Sequence, residues 1–84
     1  MEKKVKKYNY LRVIQQHYGQ GWEDVSEYEA KSDGTPVEMS DKLSPKGRPE
    51  SLLSHDVREY RVMGYPTRII FRKELIKIEE AINN

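Results

Sequence analysis

Residues 8–28 read YNYLRVIQQHYGQGWEDVSEY, and the fold is decided there. From Tyr8 the chain alternates. Tyr8, Tyr10, Arg12, Ile14, Gln16 and Tyr18 fall on one face of an extended chain, and Leu11, Val13, Gln15 and His17 on the other. Both faces carry apolar residues, as a central strand requires, and the aromatic and β-branched content favours the extended form. Gly19-Gln20-Gly21 offers two positions that accept positive φ, which a tight hairpin turn needs. The chain returns through Trp22–Tyr28, where Trp22, Asp24, Ser26 and Tyr28 alternate with Glu23, Val25 and Glu27. The second set is largely acidic and reads as solvated. The return strand is therefore an edge, with charges that discourage strand addition.

Outward from the hairpin, residues 1–7 (MEKKVKK) form a charged leader expected to be flexible. Residues 31–50 are rich in Gly, Pro, Ser and Asp and read as a long loop, disordered over part of its length. Val37, Met39 and Leu43 are its sizeable apolar groups and are available to tether it. Residues 51–63 read as a helix, with Leu53, Val57 and Tyr60 in one stripe widened by Leu52 and Met63. Pro49 and Glu50 suit its start, and Gly64 and Pro66 its end. Residues 67–72 read as a strand: Ile69 and Phe71 face one way, Arg68, Ile70 and Arg72 the other. Residues 73–82 read as a terminal helix with Leu75, Ile78 and Ile82 on one side, although Leu75-Ile76-Lys77-Ile78 also suits an extension of the strand. The expected architecture is a small single α+β domain spanning 1–84, β-β-(long loop)-α-β-(α). Its three-stranded antiparallel sheet, in order 2-1-3, packs on a helix.

Composition bounds function. The 84 residues allow one small domain with a thin core. There is no cysteine, hence no disulfide and no thiolate metal site. No apolar run is long enough to cross a bilayer and no signal pattern opens the chain, so the protein reads as soluble and cytoplasmic, without a membrane partner. The net charge of +1 hides segregation: residues 1–19 carry +4, residues 20–59 carry −5 and residues 60–84 carry +2. A mixed soluble surface accounts for this more simply than a basic face does, because nucleic-acid domains usually show a larger cationic excess.

No motif carries catalysis. Ser54-His55-Asp56 spells the letters of a hydrolase triad, but helical neighbours point about 100° apart and are not expected to converge. His17 and His55 have no ligand spacing, so no metal or cofactor is expected. Glu23 and Asp24 are strand neighbours facing opposite sides, which argues against paired acid–base carboxylates; Asp24 suits a turn N–H or an arginine partner. Trp22 with Tyr8, Tyr10, Tyr18 and Tyr28 could stack nucleic acid or anchor a protein, but a domain this small needs most of these rings for its core. The residues assigned to partner binding are Gln20, Trp22, Glu23, Asp24 and Glu27. The alternative nucleic-acid face is Lys6, Lys7, Arg12, Arg68 and Arg72, with Arg12 expected beside Arg68 and Arg72 across the first strand.

The run Tyr18-Gly19-Gln20-Gly21-Trp22-Glu23-Asp24 resembles a group of small uncharacterised proteins encoded by bacteriophages, prophages and other mobile elements. Members carry a strand with a Gln (here Val13-Ile14-Gln15) before a Tyr-Gly-x-Gly-Trp-Glu-Asp turn. A helix ending near Glu-Tyr-Arg (Glu59-Tyr60-Arg61) follows, then a Tyr-Pro-x-Arg-Ile-Ile strand (Tyr65-Pro66-Thr67-Arg68-Ile69-Ile70). The similarity covers about half the chain. It departs at residues 31–50, where the similar proteins have a shorter connection. The resemblance implies a bacterial or viral origin and a cytosolic location, and it carries no catalytic residues. The expectation is a non-enzymatic binding protein that contacts a host protein stoichiometrically; nucleic-acid binding is the alternative. A thin core and exposed strand edges also point to a homodimer.

Overall fold

Val13 and Ile14 are neighbours on one strand and both are fully buried. Successive strand residues face opposite sides, so that strand must be covered on both. The computed structural model describes residues 7–76. It contains β1 (Tyr8–His17), β2 (Trp22–Ala30), α1 (Leu52–Val62) and β3 (Thr67–Leu75). Both strand pairs are antiparallel, and the sheet is open with order β2-β1-β3. The first strand is central, as its two apolar faces require. The hairpin loop has Gly19 at φ 103° and Gly21 at φ 127°, the left-handed conformations that its two glycines make accessible.

Strict alternation fails in β2. Ile14 pairs with Ser26 but Gln15 pairs with Asp24, which leaves Val25 as an extra residue in a β-bulge. The bulge reverses parity. Ser26 and Tyr28 lie on the helix-covered face with Ile14 and Arg12, whereas Trp22 and Asp24 lie on the opposite face with His17 and Gln15. The single face expected for Trp22, Asp24, Ser26 and Tyr28 is thus split in two. The extra residue lets Val25 as well as Tyr28 pack against the core formed by Ile14, Tyr28, Leu53 and Val57.

The helix begins at Leu52, one residue later than expected. Ser51 is the N-cap, its hydroxyl accepting from the Ser54 N–H at 3.1 Å. Glu50 instead forms a forked ion pair with Arg58, with both N–O distances 2.6 Å. Leu53 and Val57 are buried, and Leu52 and Tyr60 pack partly against them. Met63 does not widen this stripe. It is the C-cap and is exposed, because the chain turns there to reach Gly64 (φ 92°) and β3.

Gln16 ties the helix end to the sheet. Its side chain is buried. Its Nε2 donates to the Tyr60 carbonyl at 2.9 Å and to Thr67 Oγ1 at 3.2 Å, and its Oε1 accepts from the Tyr18 hydroxyl at 2.7 Å. All its polar atoms are satisfied, which offsets the cost of burying them.

β3 runs through to Leu75, so no helix begins at Lys73. Tyr8, Asn9 and Tyr10 pair with Leu75, Glu74 and Lys73, and the Ile76 N–H still donates to the Lys7 carbonyl. Strand extension wins because β1 starts early enough to satisfy these groups. Residues 77–82 of the expected helix lie outside the described residues, as do residues 1–6 of the leader.

The loop over 31–50 is organised by backbone bonds. Val37 N–H donates to the Glu29 carbonyl, Ser40 N–H to Glu50, and Leu52 N–H to Glu38. Val37, Met39 and Leu43 do not tether it; all three are exposed. Arg12 does, donating from Nε to the Gly34 carbonyl at 2.8 Å. A Cβ at Gly34 would collide with that guanidinium, and its φ of +90° already disfavours any side chain.

Two substitutions check this frame by urea denaturation. Ile14→Ala should cost about 2–5 kcal/mol, the range for emptying a packed aliphatic site. Gln16→Leu should cost about 1–3 kcal/mol, because the Tyr60 carbonyl and Thr67 lose their shared donor. An unchanged midpoint for Gln16→Leu would show that the helix end is held by packing alone.

Candidate functional site

The face of the sheet opposite α1 has no helix over it among the described residues, but Val13 at its centre is fully buried, and side chains such as that of Arg72, which reaches Asp24, cross the row. β1 contributes Leu11, Val13, Gln15 and His17. Register places Arg72, Ile70 and Arg68 of β3 opposite the first three. On the other side Glu29, Glu27, Asp24 and Trp22 of β2 stand opposite all four. A basic edge and an acidic edge therefore flank one central row.

Their side chains meet across it. Asp24 accepts from Arg72 at 2.8 and 3.2 Å and from Gln15 Nε2 at 2.7 Å. Gln15 Oε1 accepts from Arg68 Nε at 2.8 Å. The Arg68 guanidinium lies 4.1 Å above the Trp22 ring, and His17 meets the same indole edge-on at 5.3 Å. One polar chain thus runs from Arg72 through Asp24, Gln15 and Arg68 to Trp22. The Arg72 guanidinium, helped by Gln15, holds the Asp24 carboxyl down at about 2 against a smaller opposing effect of desolvation. Asp24 in turn raises Arg72. Glu27 lies 3.8 Å from Arg72 and adds a second acid to the cluster. Trp22 remains 37% exposed. It is an indole held by Arg68 and His17 and still partly open to solvent.

Of the partner-binding residues read from sequence, Trp22, Asp24 and Glu27 share this face. Gln20 sits in the hairpin loop. Glu23 pairs with Gln16 and so faces the helix side, as a strand neighbour of Asp24 must. Of the nucleic-acid set, Arg68 and Arg72 share the open face as expected, but Arg12 does not join them. Arg12 stands opposite Phe71 on the other face, 5.1 Å above its ring, because it has the parity of Ile14. Lys7 is exposed at the start of β1, and Lys6 is outside the described residues. The aromatic rings are likewise divided. Tyr28 is in the core, Tyr10 stacks on Phe71, Lys73 caps Tyr8, and Tyr18 meets Tyr65 edge-on. Sequence reading did not assign Gln15 and His17 to the site. Their signal was their shared parity with Val13.

A second polar cluster lies on α1. His55 Nδ1 is 2.9 Å from Asp56 Oδ1, so these helical neighbours do converge, contrary to the expectation from their angular separation. Rotation about their side-chain bonds closes the gap. Ser54 completes no triad, because its hydroxyl bonds to Ser51. Glu59 Oε1 is 3.8 Å from His55 Nε2, and the three donor groups lie within 4.8 Å of one another. The second Asp56 oxygen accepts from the Tyr28 hydroxyl at 2.7 Å. Burial pushes Asp56 up, but the bonds from His55 and Tyr28 together outweigh it and leave it below the usual carboxylate range. Burial, then the Asp56 bond and charge, raise Tyr28 well above a normal phenol. With both oxygens of Asp56 engaged, the cluster acts as a clamp between α1 and β2.

Among the described residues no helix is long and apolar enough to cross a membrane. Compared with models of protein families, with curated proteins and with solved structures, the chain matches none.

The depressed Asp24 carboxyl fixes a pH dependence. A carboxylate lowered from about 4 to about 2 on folding contributes stability that is present above the higher value and lost as pH falls through the lower. The stability gap between wild type and Asp24→Asn should therefore be constant above about pH 5 and shrink between about pH 4 and 2. Denaturation curves across that range check this; a gap independent of pH would mean that Asp24 is not held by Arg72 in solution.

Proposed function

We propose that this protein is a non-catalytic binding module that contacts a protein of a bacterial host, one to one, through the hairpin end of its open sheet face. The observation that carries this reading is Trp22: a half-exposed indole locked between Arg68 and His17 on a face with no covering element among the described residues. Tryptophan and arginine dominate binding hot spots. An anchor already held in place loses little side-chain freedom when a partner docks, which favours affinity. Gln20 in the loop and Glu27 on the strand supply a polar and acidic rim. Glu29 continues that acidic edge, so a partner surface with basic groups around an apolar pocket would complement it.

The bacterial host and its cytoplasm enter through the resemblance of the Tyr18–Asp24 run to phage and mobile-element proteins. Stoichiometric action is an analogy with such small proteins. Gln15, Asp24, Arg68 and Arg72 of this face are bonded to one another, which supports the non-catalytic reading. Nucleic-acid binding is the weaker reading. Arg72 is neutralised by Asp24 and Glu27, and Arg12 lies on the opposite face.

Affinity capture from a bacterial lysate, with native mass spectrometry of the product, tests the proposal. Wild type should recover a host protein at one-to-one stoichiometry. Trp22→Ala should lose it while keeping its circular dichroism. Equal recovery by both would overturn the assignment of the surface. Retention on DNA or RNA at low salt, falling steeply as salt rises, would replace the protein partner with a nucleic acid.

A further inference from the structure

β3 is an edge strand, and its outer side is specified by the ladder on its inner side. His17 N–H donates to the Pro66 carbonyl and Ile76 N–H to the Lys7 carbonyl, both across the β1–β3 pair. Even-numbered residues of β3 therefore point their backbone groups at β1. Thr67, Ile69, Phe71, Lys73 and Leu75 point theirs away. Among the described residues no strand lies beyond them. This edge is a full strand long, and its apolar groups are open: Phe71 is 44% and Leu75 68% exposed. Long edges of this kind pair with other strands unless something blocks them.

The sequence of this edge is complementary to itself. We infer that two copies of the chain pair through antiparallel β3 edges, centred on Phe71, to form a continuous six-stranded sheet. A two-fold axis through Phe71 sets Thr67 opposite Leu75 of the second copy, so the strands overlap over their whole length. Arg68 then faces Glu74, twice by symmetry, as an opposite-charge cross-strand pair on the open face. The neighbouring registers are unfavourable. Centring on Ile70 sets Arg68 against Arg72, and centring on Arg72 sets that arginine against its own copy. Like charges directly opposite destabilise such pairs. The outward groups of the five residues on each strand give about ten inter-chain hydrogen bonds. On the other face Phe71 already stacks on Tyr10, with centroids 5.9 Å apart and planes 13° from parallel. Joining two Phe71 residues extends this into a row of four rings. The axis is perpendicular to the sheet, so both open faces, each with its Trp22–Arg68 pair, would lie on the same side.

Sedimentation equilibrium over a concentration series tests this directly. Wild type should shift from monomer to dimer as concentration rises. The amides of Ile69, Phe71 and Lys73 should gain hydrogen-exchange protection over the same range. Glu74→Arg, at an exposed position, sets Arg against Arg twice and should weaken the dimer about tenfold or more. Arg68→Glu should do likewise. Mixing the two variants should restore dimer as a heterodimer, since every cross-strand pair is then opposite in charge. Trp22→Ala should dimerise as wild type does, which keeps this result separate from the partner assay. A single monomer mass for wild type at all concentrations would overturn the inference. So would dimers in which those amides exchange as they do in the monomer, or in which Glu74→Arg has no effect.

Discussion

The bulge at Val25 is the constraint on which the rest depends. A strand with strict alternation would put Trp22 and Asp24 on the same side as Tyr28, under the helix. Inserting one residue between Ser26 and Asp24 keeps Tyr28 in the core and turns Asp24 outward, where it meets Arg72. The bulged residue is itself engaged: Val25 packs against the core and its carbonyl accepts from the Tyr60 hydroxyl at 3.3 Å. An irregularity in one ladder therefore serves both faces, as bulges near functional surfaces often do.

Two adjacent glutamines, Gln15 and Gln16, carry that division to the next level. Both are buried, and each faces a different layer. Gln16 closes the helical side by bonding the Tyr60 carbonyl, and Gln15 closes the open side by linking Asp24 to Arg68. Gln suits the task because one side chain both donates and accepts. Buried polar networks are costly when incomplete, and among the described residues no buried side-chain polar atom lacks a partner. Among the described residues the buried cluster on the helix side is only four side chains, so these bonds specify geometry that packing alone would leave loose.

The legible parts of the sequence were those governed by local rules. Alternation and the paired glycines located the central strand and its hairpin, and the apolar stripe located the helix. The Pro-x-Arg-Ile-Ile strand and the sheet order 2-1-3 followed. What escaped depended on partners distant in sequence. The bulge has no local signature, since Val25 suits either face. The placement of Arg12 followed from a parity already readable from Ile14, yet its partner at Gly34 could not be read without the loop's path. Strand continuation to Leu75 depended on how early β1 begins. Within the candidate site, Trp22, Asp24 and Glu27 were visible as residue types. Their connection through Gln15 to Arg68 was not, because it spans three strands.

The two sheet edges show how this small chain divides its charge. β2 carries Glu23, Glu27 and Glu29, and the Val37 N–H occupies the outward Glu29 carbonyl. A second copy meeting that edge would set acid against acid and find part of the backbone taken. β3 carries Arg68, Arg72, Lys73 and Glu74, an order in which sign changes along the strand, and its outward groups are open among the described residues. The segregation hidden in a net charge of +1 thus has a structural meaning. Arg72 spends its charge on Asp24 across the sheet, which leaves Arg68 and Glu74 as the basic and acidic groups of opposite sign along this face of the edge. One edge gathers acids of a single sign, and the other carries both signs, as the inferred pairing requires.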